Sequence, residues 1–250
     1  MIMELISLRG SGDEEVYSPR ARLLMFHHAG ASSFAYAGWA QYLDDGMDFF
    51  GVDLPARARG HIETAFTDWD SCRHACRALL GALPPASTVI AGHSMGALLA
   101  YEAASLLDEL QPDSLKALCV SGCRAPGYAT GPDPKPLSTL EDDELLDAVF
   151  ALGGTSADAI DDDLYRRDFL PVARQDFRLL EAYTPQNRAR LSVPLLAFGG
   201  QNDPGVSEES LRAWGAMTTG DFVLSMLPGG HFFNLAYPRT IVHELLRYLD

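Results

Sequence analysis

At 250 residues, with 47% apolar and 21% charged residues, the chain has the composition of one large globular domain, and wholesale disorder is excluded. A net charge of −15 argues against nucleic acid or an anionic membrane as partner, because phosphate binding needs a positive field. Met1–Arg9 lacks the basic start and long apolar centre of a secretory signal, and no uncharged apolar run approaches the roughly 20 residues that span a bilayer, so a cytoplasmic location is expected.

Apolar, β-rich runs alternate with helical patterns for most of the length, the signature of a mainly parallel sheet with helices on both faces. In chain order the pattern predicts a strand at Leu23–Phe26, a helix near Phe34–Leu43, a strand at Phe49–Leu54 and a helix at Asp68–Leu83. A short buried strand at Thr88–Ala91 follows, then a helix at Met95–Leu107 that is apolar on almost every face and belongs inside the protein. Strands at Leu115–Ser121, Val193–Phe198 and Phe222–Leu227 and a closing helix at Thr240–Leu249 complete the series.

Residues 125–190 break the alternation. A Pro/Gly-rich stretch, Ala125–Pro136, leads into a helix that Ser138 or Thr139 can cap, with Glu141, Asp142 and Asp143 in its first turn and Gly153-Gly154 stopping it. Asp161-Asp162-Asp163 precedes a second helix at Leu164–Leu180. Helices inserted at one place between two sheet strands read as a lid within a single domain of residues 1–250, and the acidic runs as solvated helix starts.

Gly92-His93-Ser94-Met95-Gly96 fits G-x-S-x-G directly between a buried strand and a helix, the context in which the motif exposes a serine hydroxyl on a tight turn. A serine is a weak nucleophile and needs a base. His231 follows Pro228-Gly229-Gly230 after the last strand, where the chain order Ser…Asp…His places the base. His74 and His243 fall in helices and His61 in a loop, and the His93 side chain is expected to point away from the hydroxyl. The acid is Asp203, immediately after the strand at Val193–Phe198; the rival position, Ser121–Ala125, contains no acid, and Asp53 reads as structural. The oxyanion donors are expected to be the backbone N–H groups of Met95 and, from His27-His28-Ala29-Gly30-Ala31, of Ala29. His27 and His28 lack a third ligand cluster for a metal. Cys72/Cys76 and Cys119/Cys123 lie in a helix and about a strand, as small buried side chains rather than zinc ligands. The reading is an α/β-hydrolase fold with Ser94, Asp203 and His231 as triad and no metal.

With these pieces in place the chain resembles the type II, stand-alone editing thioesterases of polyketide and nonribosomal peptide synthesis. The residues that carry the resemblance are Phe26-His27-His28-Ala29-Gly30-Ala31-Ser32, Asp53-Leu54-Pro55-Ala56-Arg57, Gly92–Gly96 with Ala97-Leu98-Leu99-Ala100-Tyr101-Glu102, the lid stretches Leu152–Thr155 and Asp176–Tyr183, then Gly200–Val206 and Gly229–Phe233. His27 stands where members commonly have proline, and Ala31 where they have a second glycine, so the loop around Ala29 can be stiffened differently. The resemblance implies hydrolysis of acyl thioesters on the phosphopantetheine arm of acyl or peptidyl carrier proteins, by a monomer that needs no cofactor. A general carboxylesterase or acyltransferase, or a non-catalytic binding protein of the same fold, are the competing readings.

Within the lid, apolar faces from Leu145, Leu146, Val149, Phe150, Phe169, Phe177 and Leu180 are expected to build the acyl pocket, with Phe150, Phe169 and Phe177 as substrate contacts. Carrier proteins are typically acidic, so docking on so acidic a chain calls for a local basic cluster at the entrance. The candidates are Arg166-Arg167, Arg188/Arg190 and Arg57/Arg59, with pairing to neighbouring acids as the alternative.

Overall fold

The computed structural model describes residues 1–9, 21–57, 64–128, 135–154, 163–186 and 189–249. Its strands are β1 (Glu4–Ser7), β2 (Ala21–Phe26), β3 (Met47–Asp53), β4 (Ser87–His93), β5 (Leu115–Ser121), β6 (Leu195–Gly200) and β7 (Phe222–Leu227). They form a seven-stranded sheet in the order β1-β3-β2-β4-β5-β6-β7. All neighbouring pairs are parallel except β1 with β3. The antiparallel edge strand β1 was not anticipated: four residues at a sheet edge carry too short a pattern to stand out.

Side chains alternate across the sheet with the period of a strand. In β2, Leu24 and Phe26 enter one core layer while Leu23 and Met25 enter the other. The first layer packs under α1 (Trp69–Ala82) and α2 (Met95–Leu110). The second is covered by a 3-10 segment, Ser33–Tyr42, and by the C-terminal helix Pro238–Leu246. Asp68 caps α1 by accepting from Ser71 N at 2.7 Å, a contact worth about 1 kcal/mol. Every residue of α2 from Met95 to Leu107 is buried, as its all-round apolar pattern requires.

Several boundaries differ from expectation for local reasons. β6 begins at Leu195, not Val193, because Pro194 has no N–H for the ladder. The closing helix starts two residues early, at Pro238, since proline suits the first helical position. The segment from Ser33 winds as a 3-10 helix, not an α-helix.

Between β5 and β6 the described residues contain no strand beyond an isolated bridge at Leu191. The helices there are α3 (Asp142–Leu152) and α4 (Asp163–Glu181). Glu141, not Ser138 or Thr139, is the N-cap of α3, with its N–H donating to Glu144 at 3.2 Å; Gly153, at φ 86°, ends the helix. Leu137–Thr139 forms instead a single 3-10 turn, and the Ser138 hydroxyl bonds Glu181 at the end of α4. Asp161, Asp162 and Thr155 lie outside the described residues.

The helices inserted between β5 and β6, called the lid below for their place in the chain, share a small apolar core of their own, Leu145, Leu146, Val149, Leu170, Ala173 and Phe177. They are also joined to the sheet domain by polar contacts. Trp69 Nε1 donates to Leu179 O at 2.6 Å, and Gln175 Nε2 to Phe66 O at 2.8 Å. Tyr183 Oη donates to Glu102 at 3.0 Å, and Glu102 is held from its other side by Arg73 at 2.8 and 3.3 Å. Glu102 is 3% exposed, so deleting it leaves the Tyr183 phenol and one side of the partly buried Arg73 guanidinium without an acceptor, although Arg73 Nη1 keeps Asp70 at 3.0 Å. Glu102→Ala is therefore expected to lower the stability measured by urea denaturation by about 3 kcal/mol. A loss under about 1 kcal/mol would mean that this contact is dispensable for seating the lid.

Candidate active site

β4 ends at His93 and α2 begins at Met95, so one residue makes the turn. That residue, Ser94, sits at φ 55°, ψ −123°, a conformation that costs a non-glycine residue on the order of 1–3 kcal/mol. Its N–H donates to Ser121 O at 2.8 Å on the neighbouring strand. The flanking glycines are required by space: a Cβ on Gly92 would fall 1.9 Å from Gly96 O, and one on Gly96 2.2 Å from Phe26 O. The turn therefore presses against the end of β2, which brings the loop after β2 beside the serine.

The acid and the histidine come from the loops after β6 and β7, which are parallel neighbours. Gln201 N donates to Leu227 O at 2.8 Å and Asn202 N to Gly229 O at 2.9 Å, fastening one loop to the other. His231 Nδ1 lies 2.7 Å from Asp203 Oδ2, and Asp203 Oδ1 accepts from Gly205 N at 2.9 Å. The Asp203 side chain is fully buried. A carboxylate so placed makes Nδ1 the protonated nitrogen and leaves Nε2 as the free base.

Ser94, Met95 and His231 line one cleft of about 470 Å³. The lid contributes Leu137, Leu152, Phe177 and Leu180 to its wall, and Arg124, Lys135 and Glu181 add charge. Of the three phenylalanines expected to contact substrate, Phe177 alone lines this cleft. Phe150 is 46% exposed, on the side of α3 turned away from the lid core. Phe169 stacks on Tyr165 at 5.0 Å and abuts Gly30. Leu145, Leu146 and Val149 pack the lid core. Ala29 lies where lid and main core meet.

Three histidines that the sequence reading set aside surround this centre. His93 is fully buried; its Nδ1 lies 2.9 Å from Ser121 Oγ, and its ring is centred 5.0 Å from that of His231. His28 meets Tyr36 Oη at 2.8 Å, and its ring and that of His231 flank Phe232 at 4.8 and 5.1 Å. His27 is fully buried below them. The signal was the motif position of His93 and the doublet His27-His28; no periodicity reveals which rings meet. His74 and His243 are exposed on their helices.

The basic clusters are distributed differently from expectation. Arg57 is buried against Asp176 at 2.8 Å and is not at an entrance. Arg166 pairs with Asp143, Arg174 with Asp142 at 2.6 Å, and Arg167 with Asp168 at 2.9 Å, so the arginines of α4 are largely answered by neighbouring acids. Arg59, His61 and Arg188 lie outside the described residues. Asp53, at the end of β3, accepts from Ser33 N at 2.6 Å and starts the 3-10 segment.

A mainly parallel sheet bearing a serine on the β4–α2 turn, with an acid and a histidine on the loops after β6 and β7, defines an α/β hydrolase. Residues 21–248 match the thioesterase domain family, and the chain belongs to it: it is a hydrolase acting on thioesters. It is 30% identical over 216 residues to thioesterase PikA5 of Streptomyces venezuelae, spanning 85% of this chain and 75% of that one. It is 29% identical over 214 residues to the gramicidin S biosynthesis protein GrsT of Aneurinibacillus migulanus, spanning 86% and 83%. The type II thioesterase BorB from the borrelidin biosynthetic cluster superposes with a TM-score of 0.85 at 30% identity, covering 98% and 97% of the two chains. The resemblance to type II thioesterases of polyketide and nonribosomal peptide synthesis thus extends over nearly the whole length. No described helix is long and apolar enough to cross a membrane.

The buried histidines give the protein an expected acid sensitivity. Burial, reinforced by the Arg57 charge, holds His27 well below the usual imidazole range. Burial together with His231 and Arg57 brings His28 down to about 3, and burial together with His231 and His28 lowers His93. The unfolded chain takes up these protons near pH 6.5 while the folded chain does not, so stability is complete above that pH and falls below it. Each group contributes a slope of up to about 1.4 kcal/mol per pH unit below about pH 6. Urea midpoints measured from pH 7 to 5 are expected to drop steeply, and a His28→Gln variant to show a shallower slope. A flat profile would contradict the buried, neutral state of these rings.

Proposed function

We propose that the chain hydrolyses acyl thioesters carried on the phosphopantetheine arm of acyl or peptidyl carrier proteins, acting as a monomer through a Ser94-His231-Asp203 triad and an acyl-enzyme. The observation that carries the reading is the Asp203–His231 contact of 2.7 Å in the same cleft as the strained Ser94, beneath an apolar lid wall. Ser94 Oγ attacks the thioester carbonyl while His231 Nε2 takes its proton. The oxyanion is held by the backbone N–H groups of Met95 and Ala29. Collapse of the tetrahedral adduct breaks the C–S bond, and His231 returns the proton to the departing thiol. Water, deprotonated by His231, then attacks the acyl-serine, releases the acid and restores Ser94. Leu137, Leu152, Phe177 and Leu180 supply the apolar surface for the acyl chain.

Ser94→Ala and His231→Ala are each expected to lower kcat by more than about 10³-fold, and both together by no more, because the two residues act as a unit. Asp203→Asn is expected to lose about 10²–10⁴-fold by permitting the wrong histidine tautomer. Turnover of an acyl-carrier thioester near the normal rate in Asp203→Asn would assign the acid elsewhere. Simple oxygen esters hydrolysed as well as carrier-bound thioesters would favour the general esterase.

With Arg57 buried and the α4 arginines largely paired, Lys135 is a cation placed to meet an acidic carrier: it lines the cleft together with Arg124 and is 60% exposed on a weak pair with Glu144 at 3.3 Å. Lys135→Glu is expected to raise KM several-fold for a carrier-bound substrate while sparing a small thioester, since rim charges act on encounter. Equal effects on both substrates would remove Lys135 from docking.

A further inference from the structure

The loop between β2 and the 3-10 segment is held by a polar chain whose links come from two other places in the fold, the segment after β3 and helix α4. His27 Nδ1 lies 2.8 Å from His28 O; a carbonyl can only accept, so Nδ1 carries the proton. Nε2 is then an acceptor, and it receives the N–H of Leu54 and the Nε–H of Arg57, both at 3.3 Å. The Arg57 guanidinium donates to both oxygens of Asp176, at 3.0 and 2.8 Å. Asp176 belongs to α4 of the lid, is 4% exposed, and accepts from the Gly30 N–H at 2.8 Å.

These contacts hold the two peptide groups on either side of Ala29. A trans peptide is planar, with its C=O and N–H pointing in opposite directions. Fixing the His28 carbonyl therefore fixes the direction of the Ala29 N–H, and fixing the Gly30 N–H fixes the next plane. Rotation of the first plane would turn the Ala29 N–H away, and holding the second restrains the Ala29 Cα on which the first plane pivots. Gly30, at φ 77°, is also hemmed in: a Cβ there would lie 2.5 Å from the Phe169 ring of the lid.

We propose that His27, Arg57 and Asp176 are positioning residues that aim the Ala29 N–H at the oxyanion, so that seating of lid helix α4 completes the oxyanion hole. This rests on the triad reading above. The lid is then more than a wall of the acyl pocket, because α4 carries Asp176, the residue that clamps the loop after β2.

The test uses His27→Ala, Asp176→Asn and the double variant, with His27→Gln as the conservative replacement that can both donate and accept. Active sites are counted by complete labelling of Ser94 with a fluorophosphonate. Turnover is then measured on an acyl-N-acetylcysteamine thioester, and affinity on an alkylboronic acid, which forms a tetrahedral adduct with the serine. Misaiming one oxyanion donor, which stays present in these variants, is expected to lower kcat per labelled site by roughly 10- to 100-fold, less than the about 10²–10³-fold of outright removal. KM should change less than about 3-fold, and boronate binding should weaken in parallel with kcat. His27→Gln should recover much of the loss. The double variant should fall no further than the worse single one, because the residues act in series. A purely structural role would lower thermal stability and the labelled fraction while leaving kcat per labelled site and boronate affinity normal, and that result overturns the proposal. Additive losses would overturn the serial clamp. If the wild-type protein labels at Ser94 but does not turn over the thioester, the functional reading fails, and boronate affinity still decides for or against the clamp.

Discussion

The one-residue turn at Ser94 is the constraint around which the rest of the chain is arranged. A side chain held at φ 55° is stable only if the segments on both sides are fixed more strongly than the strain resists. On one side that is β4, with β2 and β5 as parallel neighbours; on the other it is α2, buried from Met95 to Leu107. Close packing of Gly96 on the end of β2 then makes the loop after β2 a necessary neighbour of the serine. Because all but β1 run parallel, the loops after β2, β4, β6 and β7 open at the same edge of the sheet, where an α/β protein gathers its reactive groups.

The lid is joined to this edge by polar seams as much as by apolar contact. Glu102 with Arg73 and Tyr183, and Asp176 with Arg57 and Gly30, are buried carboxylates that each have a partner across the junction. Removing such groups from water costs several kcal/mol per ion, so they add little net stability over an apolar contact of the same size. What they add is a defined position: a lid displaced by a few ångströms leaves a charge without its partner, whereas an apolar surface could slide and still be covered.

Much of this was legible in the sequence, and the limits have physical causes. The strands after residue 21 and both large helices of the sheet domain declare themselves because buried parallel strands are continuous apolar runs and α2 is apolar all round. Ser94 and His231 stand at motif positions, and Asp203 is the acid that follows a strand in the right order. The roles of Phe150 and Phe169 could not be read, because helical spacing does not say which face of a lid helix meets substrate, its own core or solvent. The pairing of Arg57 with Asp176 spans 119 positions, and no local pattern encodes a contact at that separation. The histidine at position 27 was visible as a departure from the family's proline. That its ring binds both its own loop and Arg57 could be learned only from the packed chain.

The four cysteines are all unbridged, and Cys123 lies on the wall of the cleft beside Ser94. Burial of its sulfur, with a contribution from the Asp203 charge and against the pull of Arg124, pushes its thiol up to about 12. At neutral pH such a group stays a thiol, and the thiol form is a poor nucleophile. For an enzyme whose substrates are thioesters this has a chemical consequence. A thiolate at that position could capture the acyl group by exchange, sulfur for sulfur, at little free-energy cost, and trap it where no water is activated to release it. Burial that keeps Cys123 a thiol removes that exchange as a competing fate of the acyl group.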